Sequence, residues 1–140
     1  MSKINLTIDD QNVEIEEGST ILDAAGKVGI DIPTLCYHPD LTLHGACRVC
    51  VVEDLEDNSL VASCVTPVSE GMKISTRSTK ARRARRRNVL LLLANHPNDC
   101  LGCDRNGTCE LQDIVHSLNI DSDDVERISG ETREYPVDNV

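Results

Sequence analysis

Two short segments near the N-terminus alternate strictly between polar and apolar residues. Residues 3–8 and residues 12–16 both follow a period of two, and the polar residues 9–11 separate them. Because successive side chains of a strand point to opposite faces, this alternation predicts two strands joined by a tight turn. We therefore expect a β-hairpin at the start of the chain.

A short helix is predicted after the hairpin. Ser19 and Thr20 can cap the N-terminus of a helix over residues 21–28, and Gly29 is typical of a C-terminal stop. A long loop then precedes three more predicted strands, over residues 48–55, 60–64 and 72–76. This order of elements predicts an α+β fold in which one helix packs across a small sheet.

The hydrophobic period changes after these strands. Residues 79–95 contain no Gly or Pro and are rich in Arg, Leu and Ala, so they predict a helix that Pro97 stops. His96 then lies at or just past the helix end, because the residue before a proline is disfavoured in helical geometry. Another helix is predicted over residues 109–118, and residues 121–140 are predicted to form an extended acidic tail.

Aromatic residues are nearly absent from the 140-residue chain, which has two Tyr, no Phe and no Trp. Large aromatic side chains normally supply much of the buried area of a core, so this chain cannot rely on hydrophobic burial alone. Its seven cysteines are the expected compensation, because a metal centre ties distant segments together and couples metal binding to folding.

Neither a secretion signal nor a membrane span is predicted. Residues 1–17 lack the apolar core of a signal peptide, and the longest apolar run, residues 89–94, is too short to cross a bilayer. We expect a soluble cytoplasmic protein without membrane insertion. In that reducing setting, clustered cysteines bind metal more often than they form disulfides.

Four cysteines follow the pattern C-x10-C-x2-C-x13-C, namely Cys36, Cys47, Cys50 and Cys64. A lone cysteine, a C-x2-C pair and a later cysteine occur in the same order in plant-type two-iron ferredoxins, with a shorter first gap. Gly45 and Ala46 are small enough to let backbone N–H groups approach cluster sulfurs. A zinc site with four thiolates is the alternative.

A second pattern, H-x3-C-x2-C-x5-C, comprises His96, Cys100, Cys103 and Cys109. It places four donors on one compact loop, in which Gly102 and Gly107 can supply tight turns. Imidazole in place of a thiolate makes a cluster site less negative, which raises its reduction potential. The two patterns together use all seven cysteines, and a zinc site with three cysteines and one histidine is again the alternative.

These motifs together resemble one protein family. They are Pro33-Thr-Leu-Cys-Tyr37, Gly45-Ala-Cys-Arg-Val-Cys50, Ser63-Cys64, His96-Pro-Asn-Asp-Cys100 and Cys103-Asp-Arg-Asn-Gly-Thr-Cys109. Over about residues 1–120 the chain is similar to the N-terminal region of the large iron–sulfur subunit of respiratory complex I. It is closer still to the same region of bacterial multisubunit [FeFe]-hydrogenases and NAD-dependent formate dehydrogenases.

The resemblance implies two domains and two clusters. Residues 1–77 would form a β-grasp [2Fe–2S] ferredoxin domain, residues 78–120 a small helical [4Fe–4S] domain, and residues 121–140 an acidic tail. The implied ligands are Cys36, Cys47, Cys50 and Cys64 for the [2Fe–2S] cluster, and His96, Cys100, Cys103 and Cys109 for the [4Fe–4S] cluster.

The resemblance also implies an electron relay. In the family, this region passes electrons between a flavin- and NAD(P)-binding subunit and further iron–sulfur subunits of hetero-oligomeric complexes, electron-bifurcating ones among them. No catalytic residue is expected here, because the clusters carry the electron transfer. Relatives continue beyond the equivalent of Val140, so we expect a separately encoded relay subunit or a piece of a longer chain. A zinc-stabilised interaction module without redox function is the alternative.

The net charge of −10 is unevenly distributed along the chain. Residues 73–87 hold eight of the 14 basic residues and no acid, whereas residues 121–140 carry seven acids and two arginines. The basic stretch lacks aromatic stacking groups and the protein is acidic overall, so nucleic-acid binding is not expected.

Spacing of i, i+4 places four arginines on one side of the predicted basic helix, namely Arg82, Arg83, Arg86 and Arg87. We expect this side to face the acids of a partner, the acidic tail or the negative clusters. Leu90, Leu91 and Leu93 are predicted to continue the helix as its buried part.

Overall fold

The computed structural model describes residues 2–129, which form five strands and four helices. In chain order they are β1 (Lys3–Ile8), β2 (Gln11–Glu16), α1 (Ile21–Lys27), β3 (Val51–Asp54), β4 (Ser59–Ala62), β5 (Lys73–Ser75), α2 (Thr79–Ala94), α3 (Glu110–Ser117) and α4 (Ser122–Ile128). The chain divides into two compact units, and the boundary falls within α2, between Asn88 and Val89.

The first unit is built on a mixed five-stranded sheet of order β2-β1-β5-β3-β4. Strands β1 and β5 run parallel, and the other neighbouring pairs are antiparallel. The predicted hairpin is confirmed: Asp9 and Asp10 both adopt positive φ, as the tightest hairpin turns require. Alternation in β1 buries Ile4, Leu6 and Ile8 on one face, which fixes the register of the sheet.

Helix α1 contributes to the same core as the sheet. A capping box between Thr20 and Asp23 begins it, and Gly29 follows its end at φ +73°, as the sequence predicts. Its buried residues, Ile21 among them, belong to one apolar cluster with the inward side chains of the sheet. Cys50 and Cys64 are part of that cluster too, so two predicted ligands lie in the core.

The α+β prediction is confirmed, with two local corrections around the cysteines. Strand β3 begins at Val51, not at residue 48, because Arg48 has φ +56° and interrupts the extended backbone. Cys64 was predicted to lie on a strand, which is wrong. Strand β4 ends at Ala62, and Cys64 lies in the following turn, where the N–H of Thr66 donates to the Ala62 carbonyl at 3.1 Å.

The second unit contains the end of α2 together with α3 and α4. Val89 and Leu93 lie four residues apart on α2 and are buried, as are Ile114 and Ile120. Leu91 is 58% exposed, so its predicted burial is wrong. Two positions away from Val89 and Leu93, it points to the opposite side of the helix.

The predicted extended conformation of the acidic tail is wrong over Ser122–Ile128, which form α4. Asp121 caps this helix, with a reciprocal hydrogen bond from its backbone to the Asp124 carboxylate. Residues 130–140, the rest of the predicted tail, lie outside the described residues. None of the helices within residues 2–129 is long and apolar enough to span a membrane.

Candidate metal centres

The structure brings the four cysteines of the first pattern together. Cys36 and Cys47 are within hydrogen-bonding reach of each other, and the sulfurs of Cys50 and Cys64 lie 3.4 Å apart. Cys64 is also close enough to Cys36 and Cys47 for their charges to raise its pKa. Residues from the long loop, from its end before β3 and from the turn after β4 therefore converge on one place.

Backbone N–H groups point at the sulfur of Cys36. Hydrogen bonds from the N–H groups of Cys47 and Ala46 lower the pKa of the Cys36 thiol. Gly45 makes this approach possible, since it has φ +59° and a Cβ there would lie 2.9 Å from the Val65 side chain. This is the close backbone approach that the small residues before the C-x2-C pair predict.

Burial and the neighbouring cysteines oppose ionisation of two of these four thiols. Burial raises the pKa of the Cys47 thiol. Burial, together with the hydrogen bond and charge of Cys50, raises the pKa of Cys64 to about 12. Iron binds thiolates and offsets their mutual repulsion, so four convergent sulfurs fit a group that carries positive iron. All seven cysteines are free thiols.

Ser63 links the segments that carry the two buried cysteines, Cys50 and Cys64. Its side chain is fully buried, and Oγ donates a 2.8 Å hydrogen bond to the carbonyl of Cys50. The Ser63 carbonyl in turn accepts from the N–H of Leu22 at 3.0 Å, at the start of α1. The N-terminus of α1 therefore supports the turn that carries Cys64.

Helix α2 supports the C-x2-C loop and the start of β3. Arg85 Nε donates to the Val51 carbonyl at 2.9 Å, and Asn88 Nδ2 donates to the Arg48 carbonyl at 2.8 Å. Sequence reasoning missed both residues. Arg85 could have been found, because it lies four residues from the apolar positions Ala81 and Val89 and so falls on the buried row of the helix.

The second set of predicted ligands occupies the segment between α2 and α3. His96 and Cys103 are exposed, whereas Cys100 and Cys109 are partly buried. Unlike the first four, these side chains form no hydrogen bond with one another within residues 2–129. Within residues 2–129, no three Cys, His, Asp or Glu side chains are arranged to hold a single metal ion.

Backbone and side-chain hydrogen bonds nevertheless shape this loop. The N–H of Cys103 donates to the Cys100 carbonyl at 3.2 Å, and Gly107 turns the chain at φ +83°. Gln112 of α3 accepts from the N–H of Gly107 at 3.0 Å and donates to Asn106 Oδ1 at 2.9 Å. These contacts fasten the loop to α3.

Asn98 fixes the end of α2 and contacts the imidazole of His96. Its Oδ1 lies 3.1 Å from His96 Nδ1, and its Nδ2 donates to the Leu93 carbonyl at 2.9 Å. Asn98 adopts φ +57°, a conformation that asparagine tolerates better than most residues. The backbone N–H of Asn98 also lies 3.2 Å from His96 Nδ1, so both contacts fall on this nitrogen and neither involves Nε2. Sequence reasoning assigned Asn98 no role.

Residues 1–79 match the family described as the 2Fe-2S iron-sulfur cluster binding domain. The match covers more than half of the chain and includes the four convergent cysteines. The chain belongs to this family. Residues 85–123 match the NADH-ubiquinone oxidoreductase-G iron-sulfur binding region. The chain accordingly binds a [2Fe–2S] cluster and a [4Fe–4S] cluster, which confirms both predicted cofactors.

Curated relatives agree with the predicted resemblance. The chain is 45% identical over 112 residues to the NADH-ubiquinone oxidoreductase 75 kDa subunit of Reclinomonas americana, covering 80% of this chain and 16% of the relative. It is 46% identical over 125 residues to the NADP-reducing hydrogenase subunit HndD of Solidesulfovibrio fructosivorans, covering 86% and 21%. The NADPH-Fe(3+) oxidoreductase subunit alpha of Geobacter sulfurreducens is 44% identical over 115 residues, covering 82% and 14%.

A solved structure supports the fold of this iron–sulfur protein. A chain in the crystal structure of NAD+-reducing [NiFe]-hydrogenase in the H2-reduced state has a TM-score of 0.79 and 33% identity. The match covers 86% of the present chain and 50% of the hydrogenase chain. By contrast, the chain spans only about a fifth or less of the length of the three curated relatives.

Proposed function

We propose that this chain is an electron relay within an NAD(P)-linked oxidoreductase complex. The observation that carries the proposal is the convergence of four cysteine thiols in the first unit, within a family that binds a [2Fe–2S] cluster. The proposed ligands of this cluster are Cys36, Cys47, Cys50 and Cys64. Such a cluster, when bound, takes up and gives back one electron.

The proposed ligands of the [4Fe–4S] cluster are His96, Cys100, Cys103 and Cys109. The match to an iron–sulfur region spans all four of them, and Gln112 and Asn98 hold the loop ends and the imidazole. These contacts restrain the loop that carries the four proposed ligands.

The role of the protein is to hold the clusters rather than to perform bond chemistry. N–H groups at Cys36 stabilise thiolate charge, and burial of Cys50 and Cys64 keeps water from one side of the first site. We assign no acid, base or nucleophile to the chain. The proposed domains are residues 1–77 for the first cluster and 78–120 for the second.

The proposed partners are a flavin- and NAD(P)-binding subunit and further iron–sulfur subunits, in the cytoplasm. Support comes from the relatives, whose names place them in NADH-ubiquinone oxidoreductase, NADP-reducing hydrogenase and NADPH-Fe(3+) oxidoreductase. The glycines of the chain fit no phosphate-binding pattern, so electrons from NAD(P)H would arrive through another subunit.

An anaerobic redox titration tests the relay. The purified chain should accept one electron per cluster from dithionite and return it to ferricyanide, with reversible bleaching of visible absorption. NADH alone should leave the absorption unchanged, whereas NADH with a flavin-dependent NADH dehydrogenase should bleach it. A chain that contains zinc without iron, or one whose absorption never responds to reductant, would contradict the proposal.

Variants test the ligand assignment. Cys64→Ser should remove the [2Fe–2S] spectrum and leave the [4Fe–4S] spectrum, whereas His96→Ala should change only the [4Fe–4S] spectrum. His116→Ala is the matched control, because His116 is an exposed histidine of the same unit. If the His96 and His116 variants gave the same spectra as the wild type, His96 would not be a ligand.

A further inference from the structure

Arg85 differs from the other arginines of α2 in its burial. Only 8% of its surface is exposed, and it is the one buried basic residue within the described part of the chain. Arg82, Arg83 and Arg87 on the same helix are exposed. Burying a guanidinium removes its hydration, which lowers the pKa of Arg85 and is unfavourable unless another charge compensates.

The hydrogen bonds of Arg85 are incomplete. Nε donates to the Val51 carbonyl at 2.9 Å, but Nη2 is buried and has no hydrogen-bond partner. No carboxylate among residues 2–129 forms an ion pair with it. Asp9, whose charge partly offsets the burial, is instead bonded to Thr76 and paired with Arg77 at 3.5 Å. Within residues 2–129, the buried guanidinium therefore has no ion-pair partner, and one of its nitrogens has no hydrogen bond.

That charge lies next to a proposed ligand of the first cluster. Val51, whose carbonyl accepts from Arg85, directly follows Cys50. A negative charge on Cys50 raises the pKa of Arg85, against the lowering by burial. One turn further along α2, Asn88 holds the Arg48 carbonyl within the C-x2-C loop. These two hydrogen bonds fix Arg85 at a set position relative to the loop.

The chemistry of the first cluster explains why such a charge is useful. Reduction adds one electron to the iron–sulfide core, breaks no iron–thiolate bond and takes up no proton. The site therefore becomes more negative in a poorly hydrated surrounding, where a nearby cation interacts more strongly than it would in water. Net charge near a cluster is one of the factors that set its reduction potential.

We propose that the buried guanidinium of Arg85 is a fixed positive charge that stabilises the reduced [2Fe–2S] cluster and so raises its reduction potential. The inference rests on the proposed function, because it requires that Cys50 binds this cluster. Arg85 acts through its position beside the Cys50–Val51 peptide and is a positioning residue, not a ligand. The exposed arginines have little influence, since water and salt screen them.

Redox titration of the anaerobic full-length chain, followed by the EPR signal of the reduced [2Fe–2S] cluster, tests the inference. Arg85→Gln should lower the reduction potential of the [2Fe–2S] cluster, so that the equilibrium constant for its reduction falls at least tenfold. For one electron, a tenfold fall corresponds to about 59 mV. Arg87→Gln removes the same charge from an exposed position on the same helix and should give less than a twofold change. The [4Fe–4S] potential should stay unchanged in both variants.

A second variant covers the case in which Arg85→Gln assembles no cluster. Arg85→Lys keeps the charge and loses the guanidinium geometry. The equilibrium constant for reduction of its [2Fe–2S] cluster should therefore remain within about threefold of the wild-type value. A tenfold fall of this equilibrium constant in Arg85→Lys would overturn the inference and leave the proposed relay intact. Equal [2Fe–2S] potentials in the Arg85→Gln and Arg87→Gln variants would do the same. A wild-type chain without any [2Fe–2S] signal would instead refute the proposed function.

Discussion

Nδ1 of His96 lies 3.1 Å from Oδ1 of Asn98, at the point where α2 ends. The backbone N–H of Asn98 also lies 3.2 Å from Nδ1, so Asn98 orients the ring through a backbone donor and a side-chain acceptor on the same nitrogen. Asn98 also donates to the Leu93 carbonyl, so the same side chain ties the imidazole to the last turn of the helix.

Removing this acceptor should loosen the second cluster. Asn98→Gly preserves the positive φ but removes Oδ1, and we expect the [4Fe–4S] cluster to be lost to an iron chelator about tenfold faster. Asn98→Asp keeps an oxygen acceptor and should stay close to the wild-type rate. The measurement is the decay of visible absorption under anaerobic chelation.

The control for Asn98 is Asn95→Ala. Asn95 is exposed, and its side chain makes only a weak 3.4 Å contact with the Leu91 carbonyl, so its replacement should leave the rate unchanged. Equal rates of cluster loss for the Asn98→Gly and Asn95→Ala variants would show that His96 needs no support from Asn98.

Gly45→Ala should destabilise the first unit. The substitution places a Cβ at positive φ and 2.9 Å from a methyl group of Val65, and we expect a cost of about 2 kcal/mol. The midpoint temperature at which the [2Fe–2S] absorption is lost should fall. Adding Val65→Ala should restore part of the loss, because it removes the steric contact and leaves only the backbone strain.

Gly26→Ala is the matched control for Gly45→Ala. Gly26 lies within α1 without positive φ, and no atom approaches within 4 Å of a Cβ built there. Alanine is the better helix former by up to about 1 kcal/mol, so this variant should be at least as stable as the wild type. A Gly45→Ala chain that melts at the wild-type temperature would contradict the close approach to Val65.

Cluster-free protein should show strongly unequal thiol reactivity. The pKa of Cys36 is lowered by the N–H groups around it, so its thiolate forms at lower pH than that of an ordinary cysteine. The pKa of Cys64 is about 12, so it stays protonated at pH 8, and it is almost fully buried. Thiolate is the reactive species, and iodoacetamide should therefore modify Cys36 before Cys64.

Mass spectrometry of chelator-treated protein, quenched at increasing times, checks this order. Raising the pH should narrow the difference between the two cysteines, because the fraction of Cys64 thiolate increases as pH approaches its pKa. If Cys64 were alkylated as fast as Cys36 at pH 8, the convergent, buried arrangement of the four thiols would be wrong.

The local fold followed closely from residue patterns. Alternation predicted β1 to the residue, and the Thr20 cap and Gly29 predicted both ends of α1 within a residue. These signals succeed because they depend on neighbours along the chain. The strand predicted from residue 48 begins late because Arg48 adopts a left-handed backbone inside the C-x2-C loop, which no local pattern predicts.

The residues that support the first site were harder to predict than its convergent cysteines. Cysteine spacing pointed to Cys50 and Cys64, whereas Ser63 and Asn88 act through hydrogen bonds to residues 13 and 40 positions away. Such contacts depend on tertiary packing. Arg85 looked like one more member of a basic stretch, although its position on the buried row of α2 separates it from its neighbours.

The exposed arginines should matter for assembly rather than for redox potential. Arg83→Glu combined with Arg87→Glu should weaken association with an acidic partner subunit, and added salt should weaken the wild-type complex in the same direction. Lys73→Glu, at an exposed site on β5, is the control. Co-purification at increasing ionic strength provides the measurement. If neither salt nor charge reversal weakened the complex, Arg83 and Arg87 would not contact an acidic partner.

Iron and sulfide analysis of anaerobically purified protein, combined with Mössbauer spectroscopy, tests most directly whether the chain holds two different clusters. We expect equal amounts of iron and acid-labile sulfide, in the quantity that one cluster of each type requires, and two resolved sets of iron sites. Cys64→Ser should remove only the two-iron set. Stoichiometric zinc without sulfide, or a single type of iron site that the substitution leaves unchanged, would contradict the account.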